Sequence, residues 1–214
     1  MKIISVNVGM PRLVEYMGEP VATGIYKSPV EGAVAVNPLN LAGDAQADLR
    51  VHGGVSKSVY AYPSEHYAFW RTEYPDKDLP IAIFGENLTT RGILETEICA
   101  GDKIRVGTAE FVVTEPRFPC FKLGIRFGRK DILRRFQKSR RSGFYLSVAK
   151  TGEIRAGDSI EFLSRDPHRV TIEELVRLVD EKNNPDILKI ARRAVEVEAL
   201  PESWKLQINK MLAQ

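Results

Sequence analysis

KIRVGTAEFVVTEPRFPCFKLG, residues 103–124, holds two strand-like runs joined by a glycine turn and followed by a cysteine. In the first run Ile104 and Val106 alternate with Lys103 and Arg105, and the second, AEFVVTE, is rich in β-branched and aromatic residues. Such runs present one face to a core and one to water, so two strands are expected. The second run gives out near Pro116. Beyond it Cys120 lies among Arg117, Pro119 and Lys122. Prolines fix φ and stiffen the turn. Nearby positive charge favours the thiolate, which is the reactive and metal-binding form. A structural cysteine between solvated bases is the alternative that spacing alone leaves open. Cys99, in EICAGD, has no flanking base and reads as structural.

Outward from this segment, KIISVNV, TGIYKS, GAVAVN, KSVYAYP, FYLSVAK and DSIEFLS also read as short strands bounded by Gly, Pro and Asp. Two helices interrupt them, one opening near Ser64 as N-cap and one over residues 130–138. The expected class is mainly β with helices (α+β). Many short strands with frequent turns point to a closed or nearly closed β-barrel over residues 1–165. The pattern A-G-D-x-I occurs at 100–104 and again at 156–160, read as two similar turns feeding strands. From 166 to 214 the texture becomes helical. Thr171 and Glu174 stand at capping-box spacing. Ile172, Leu175, Val176 and Val179 follow at helical intervals, then Ile187, Ile190, Ala191 and Ala194, then Trp204, Ile208 and Met211. A small C-terminal three-helix domain is expected, its apolar stripes buried as core.

Composition sets the class. Of 214 residues 43% are hydrophobic and 28% charged, which fits a globular chain with a proper core. The net charge of +3 is too weak to imply nucleic acid. The N-terminal segment lacks the features of a signal peptide, and no run approaches the roughly 20 apolar residues of a membrane span. Two cysteines make no disulfide framework, so a reducing cytoplasm is the expected location.

Other segments could carry chemistry. In LAGDAQADLRVHGGVSKSVYAYP, Arg50, His52 and Lys57 could hold an anion, with Gly53-Gly54 allowing close backbone approach. His-Gly-Gly also occurs in ordinary turns. Lys27 and Ser28 offer an ammonium and a hydroxyl near Pro29, and Asn87 in FGENL could meet a heterocycle edge. The densest charge run, residues 125–141, carries eight bases against one acid, Asp131. It suits either a solvated helix face or a positive rim for the cysteine site. Zinc spacing, P-loop, Rossmann and G-x-S-x-G signatures are all missing from the sequence.

The order of these segments is more informative than any one of them. IYKSPV, GDAQADLRVHGG, KSVYAYP, FGENL and PRFPCFKL in succession resemble the MOSC domain, named after the C-terminal domain of molybdenum-cofactor sulfurases. The helical tail resembles that of bacterial members linked to resistance against 6-N-hydroxylaminopurine. The resemblance implies a β-barrel that binds the molybdenum cofactor in its molybdopterin form. Cys120 matches the position of a molybdenum-ligating cysteine, and Lys27 and Ser28 match a pair associated with the cofactor's phosphate. Asn87 lies where relatives carry a polar residue near the pterin. To this implied site the basic and glycine-rich segments read above add His52, Gly53, Lys57 and Arg117 as cofactor-binding candidates. The activity implied is reduction of N-hydroxylated compounds, with a small-molecule substrate and an electron-donating reductase as partners. A non-catalytic carrier of the cofactor, or of sulfur on Cys120, is the alternative. A cysteine nucleophile assisted by His52 or His66 and oriented by Asn87 is a third reading.

Overall fold

The computed structural model describes residues 1–47, 53–181, 184 and 186–213. Its elements run β1 (Lys2–Val8), β2 (Arg12–Tyr16), β3 (Glu19–Thr23), β4 (Ser28–Pro29), β5 (Val34–Val36), β6 (Val59–Pro63), α1 (His66–Glu73), β7 (Leu88–Arg91), β8 (Lys103–Val106) and β9 (Ala109–Pro116). There follow α2 (Phe121–Phe127), α3 (Asp131–Ser139), β10 (Phe144–Lys150), β11 (Gly152–Ile154), β12 (Ile160–Ser164), α4 (Ile172–Asp180), α5 (Ile187–Ala194) and α6 (Glu202–Leu212). No helix among the described residues is long and apolar enough to cross a membrane.

Eight strands form one mixed sheet in the order β12-β8-β9-β10-β6-β7-β1-β4, with β6 and β7 its parallel pair. Two small ribbons, β11-β5 and β2-β3, complete the β structure. The fold is therefore α+β, as the sequence indicates, but the expected closed barrel is not found. The N-terminal end of β1 does approach the segment before β12, through a bridge from Lys2 to Ser159 and an Ile3 N–H bond to Asp158. That contact stops short of a strand pair, so the ladder keeps β12 and β4 as its ends.

The central strand explains the core. β6 is buried at all five positions, and its period of two splits them between two apolar clusters. Val59 and Ala61 point into the main core with β1, β8, β9 and the C-terminal helices. Tyr60 and Tyr62 point into an aromatic cluster with Trp70 of α1, Phe127 of α2 and Phe136 of α3. Trp70 and Phe136 stack with ring centroids 5.9 Å apart, and Tyr62 and Phe84 lie 4.4 Å apart. Such offset pairs add about 0.5–1.5 kcal/mol each beyond their burial.

The C-terminal helices bury most of the expected stripes: Ile172, Leu175 and Val176; Ile187, Ile190, Ala191 and Ala194; Trp204 and Ile208. Val179 and Met211 are only half-buried, and Leu178, outside the expected stripe, is buried. Thr171 accepts from the Glu174 N–H at 3.1 Å, and Glu174 accepts from the Thr171 N–H at 3.0 Å, closing the capping box. Some local expectations fail. TGIYKS is not one strand: Thr23 ends β3 and Ser28 opens β4, with no strand between them. Glu65, not Ser64, occupies the N-cap of α1, with no side-chain cap bond. The two A-G-D-x-I turns both place their glycine at positive φ, 88° for Gly101 and 94° for Gly157. The strands they feed, β8 and β12, pair with each other.

Candidate functional site: a cationic pocket around Cys120

β9 ends at Pro116, and the chain turns through Arg117–Pro119 to deliver Cys120 at the N-cap of α2. There Cys120 lines a pocket with Lys27, Asp44, Gln46, Lys57, Tyr60, Asn87, Arg117, Lys122 and Tyr145. These residues come from six separate stretches, gathered where β6, β9 and β10 lie side by side. The described lining holds four bases and one acid, Asp44.

That acid is committed elsewhere. Lys27 is buried and donates to Asp44 in an ion pair. Asp44 also accepts from the Gly9 N–H at 3.0 Å and from Asn87 Nδ2 at 2.9 Å. Burial pulls the Lys27 ammonium below its ordinary pKa, and the attraction of Asp44 offsets only part of this. Asn87 is saturated. Its Oδ1 accepts from the Tyr60 N–H at 3.1 Å, and its Nδ2 donates to the Asn7 carbonyl at 3.3 Å as well as to Asp44. It builds the pocket floor by tying β6 to β1. Beside it Gly85 has φ of 79°, and a Cβ there would sit 2.7 Å from Ile25 Cγ1. Only glycine fits that conformation and that space.

Arg117 is buried, with its guanidinium 4.9 Å from the Tyr60 ring centroid and 5.5 Å from that of Phe136. Burial opposes its charge, but Tyr60, Tyr145 and Cys120 outweigh burial and hold its pKa above the ordinary value. Its Nη1 is buried with no hydrogen-bond partner among the described residues. An orphaned guanidinium N–H is costly, and a bound acceptor would remove that cost. Burial keeps both pocket phenols protonated, with Tyr145 pushed up to about 12. Lys57 stands 3.9 Å from Glu115 Oε2 and reaches over the Tyr145 ring.

Of the residues expected from sequence, Cys120, Lys27, Lys57, Asn87 and Arg117 thus converge. Ser28 and Gly53 do not line the pocket; Ser28 is exposed in β4, whereas its neighbour Lys27 is buried. His52 and Arg50 lie outside the described residues. His66 cannot assist Cys120, because its Nε2 is bonded to buried Glu95 at 2.7 Å and it is absent from the lining. Cys99 is fully buried, and burial raises its thiol pKa. The basic run contributes nothing to the lining. Several of its arginines pair with acids, Arg135 with Glu73 at 2.5 Å and Arg129 with Asp131 at 3.0 Å, as a solvated helix face would. Asp44, Tyr60 and Tyr145 are pocket residues whose part the sequence did not disclose, since their partners are distant in the chain.

Comparison with known proteins identifies the family and the fold. The family model described as the MOSC domain matches residues 48–161. YflK of Bacillus subtilis is 40% identical over 97% of this chain and 93% of its own length. Protein YiiM of Escherichia coli is 35% identical over 90% of this chain and 85% of its own. A Gibberella moniliformis protein named reductase is 34% identical over 78% of this chain, which spans 30% of that protein. The crystal structure of YiiM from Geobacillus stearothermophilus superposes with a TM-score of 0.81 at 30% identity, covering 99% of this chain and 98% of that one. YiiM from Escherichia coli gives 0.77 at 28%, covering 100% and 93%. With a family match over most of the sheet and relatives matched nearly end to end, the chain belongs to the MOSC domain family and is YiiM-like within it.

Proposed function

We propose that this pocket binds the molybdenum cofactor with Cys120 as metal ligand, and that the protein reduces N-hydroxylated compounds such as 6-N-hydroxylaminopurine. The observation that carries the reading is the donor set: one sulfur lining a cavity with three cations, Lys57, Arg117 and Lys122, beyond the Lys27–Asp44 pair. The residues fit such a group. Thiolate sulfur suits a soft metal already held by sulfur, and the orphaned Arg117 Nη1 offers a donor to an anionic pterin phosphate or oxygen. Lys57 and Lys122 add charge at the lining. Family membership and the relative named reductase support the class of reaction.

A bound molybdenum centre supplies two-electron chemistry that the side chains lack. Reduction of an N–OH group consumes two electrons and two protons and releases the N–H compound and water. The electrons come from a separate reductase partner. The chain's own part is to bind and orient. Lys57, Arg117 and Lys122 neutralise an anionic cofactor, Cys120 holds the metal, and the protonated phenol of Tyr145 presents a hydrogen-bond donor to the pocket. Lys27 stays committed to Asp44 and shapes the floor.

The test is protein made in a host competent for the cofactor, with Cys120→Ala beside the parent. Parent protein is expected to contain molybdenum and pterin and to reduce 6-N-hydroxylaminopurine with an artificial electron donor. The variant is expected to lose metal and turnover. Equal reduction by both overturns the assignment of Cys120. Bound cofactor without turnover in the parent favours a carrier instead.

A further inference from the structure

The turn that delivers Cys120 is gripped from behind by the far end of the chain. Trp204 of α6 is buried, and its Nε1 donates to Glu115 Oε2 at 3.0 Å. Its ring packs against Phe118 with centroids 6.0 Å apart. Glu115 and Phe118 bracket Arg117, and Phe118 precedes Cys120 by two residues. One side chain therefore touches both the end of β9 and the middle of the short stretch that leads from it to the cysteine. Glu115 is itself a buried carboxylate, also accepting from Ser56 Oγ at 3.2 Å. A buried carboxylate needs such donors, so the indole N–H completes its shell.

We propose that Trp204 is a positioning residue for the Cys120 turn, acting as a two-point clamp through Glu115 and Phe118. The inference rests on the pocket reading above for its functional meaning, and it gives the C-terminal helices a task beyond completing the core. Pro116 and Pro119 fix two φ angles here, but the stretch has no regular structure to hold it against the rest of the fold. Here the sulfur's position is fixed by a residue 84 positions later in the chain.

The experiment uses the full chain without cofactor. Alkylation by iodoacetamide at one pH is followed by mass spectrometry at both cysteines, with Cys99 as internal reference because it is fully buried. Trp204→Ala removes both contacts and is expected to speed alkylation of Cys120 several-fold while Cys99 keeps the parent's rate. Trp204→Phe keeps a ring against Phe118 but loses the N–H, and should fall between. Phe118→Ala removes the ring contact and leaves the Trp204–Glu115 bond in place, and should also raise the Cys120 rate; with Trp204→Phe it decides the matter if Trp204→Ala does not fold. A Cys120 rate equal to or below the parent's in the folded variants, or a parallel rise at Cys99, overturns the clamp. Either result leaves the molybdenum reading untouched, since no metal enters the measurement.

Discussion

At the scale of single residues, two buried charges set the properties of the pocket's surroundings. Lys27 and Asp44 form a pair whose members cannot be removed singly without leaving a charge in a dry place. Lys27→Ala is expected to lower stability by about 3–5 kcal/mol, read as a shift in denaturant midpoint. Glu86, one residue before Asn87, is fully buried and takes a hydrogen bond from Tyr67 at 2.5 Å. Burial raises its pKa above the ordinary 4.5, although Tyr67, Thr89 and the backbone pull the other way. Between 4.5 and the raised value the folded chain keeps a proton that the unfolded chain has lost. Stability contributed by Glu86 is therefore full below 4.5 and falls as pH rises through that window, by up to about 1.4 kcal/mol per pH unit. Glu86→Gln should flatten that fall, measured by denaturant titrations from pH 4.5 to 7. Cys120, Lys57 and Arg117 were legible in the sequence because rigid turns and basic neighbours are local signals. The commitment of Lys27 to Asp44, and of Asn87 to three backbone and side-chain partners, was not, because those contacts join stretches far apart in the chain.

At the scale of elements, legibility followed local pattern. α4 announced itself through Thr171, Glu174 and a clean apolar stripe. Thr171→Ala should cost about 1 kcal/mol, seen as a lower thermal midpoint. α2 gave no such notice, being seven residues long with Gly124 inside it and prolines just before it; helix propensity is poor and packing of Leu123 and Phe127 decides. The β2–β3 ribbon was equally silent. Val14, Tyr16, Val21 and Thr23 form its more buried face, but Leu13 is apolar and largely exposed and Pro20 interrupts the other run, so RLVEY and EPVAT show no clean apolar–polar alternation. Its turn puts Met17 at φ 56° and Gly18 at φ 82°, a conformation that suits Asn or Gly at the first position. Met17→Asn should therefore raise stability slightly, by less than about 1 kcal/mol, and leave the fold unchanged by circular dichroism. β7 and β11 escaped notice because each is short and lacks an apolar alternating run, reading LTTR and GEI.

At the scale of the whole molecule, the barrel expectation erred because short strands with many turns also fit a curled open sheet with ribbons at its flanks. The helical tail was read correctly as helices, but its apolar stripes share one continuous core with the sheet. Removing residues 166–214 would uncover Ile98, Ala100 and their neighbours on the sheet side. The shortened chain is expected to aggregate or to unfold without cooperativity, whereas the full chain should melt in a single transition, checked by size-exclusion chromatography and calorimetry. The sequence has only two tryptophans, and they fall one to each cluster, Trp70 among the aromatics under α1–α3 and Trp204 where α6 meets the sheet. The protein thus carries a separate optical reporter for each half of its interior, and the emission of either indole, isolated by conversion of the other to phenylalanine, would time the collapse of its own half during refolding.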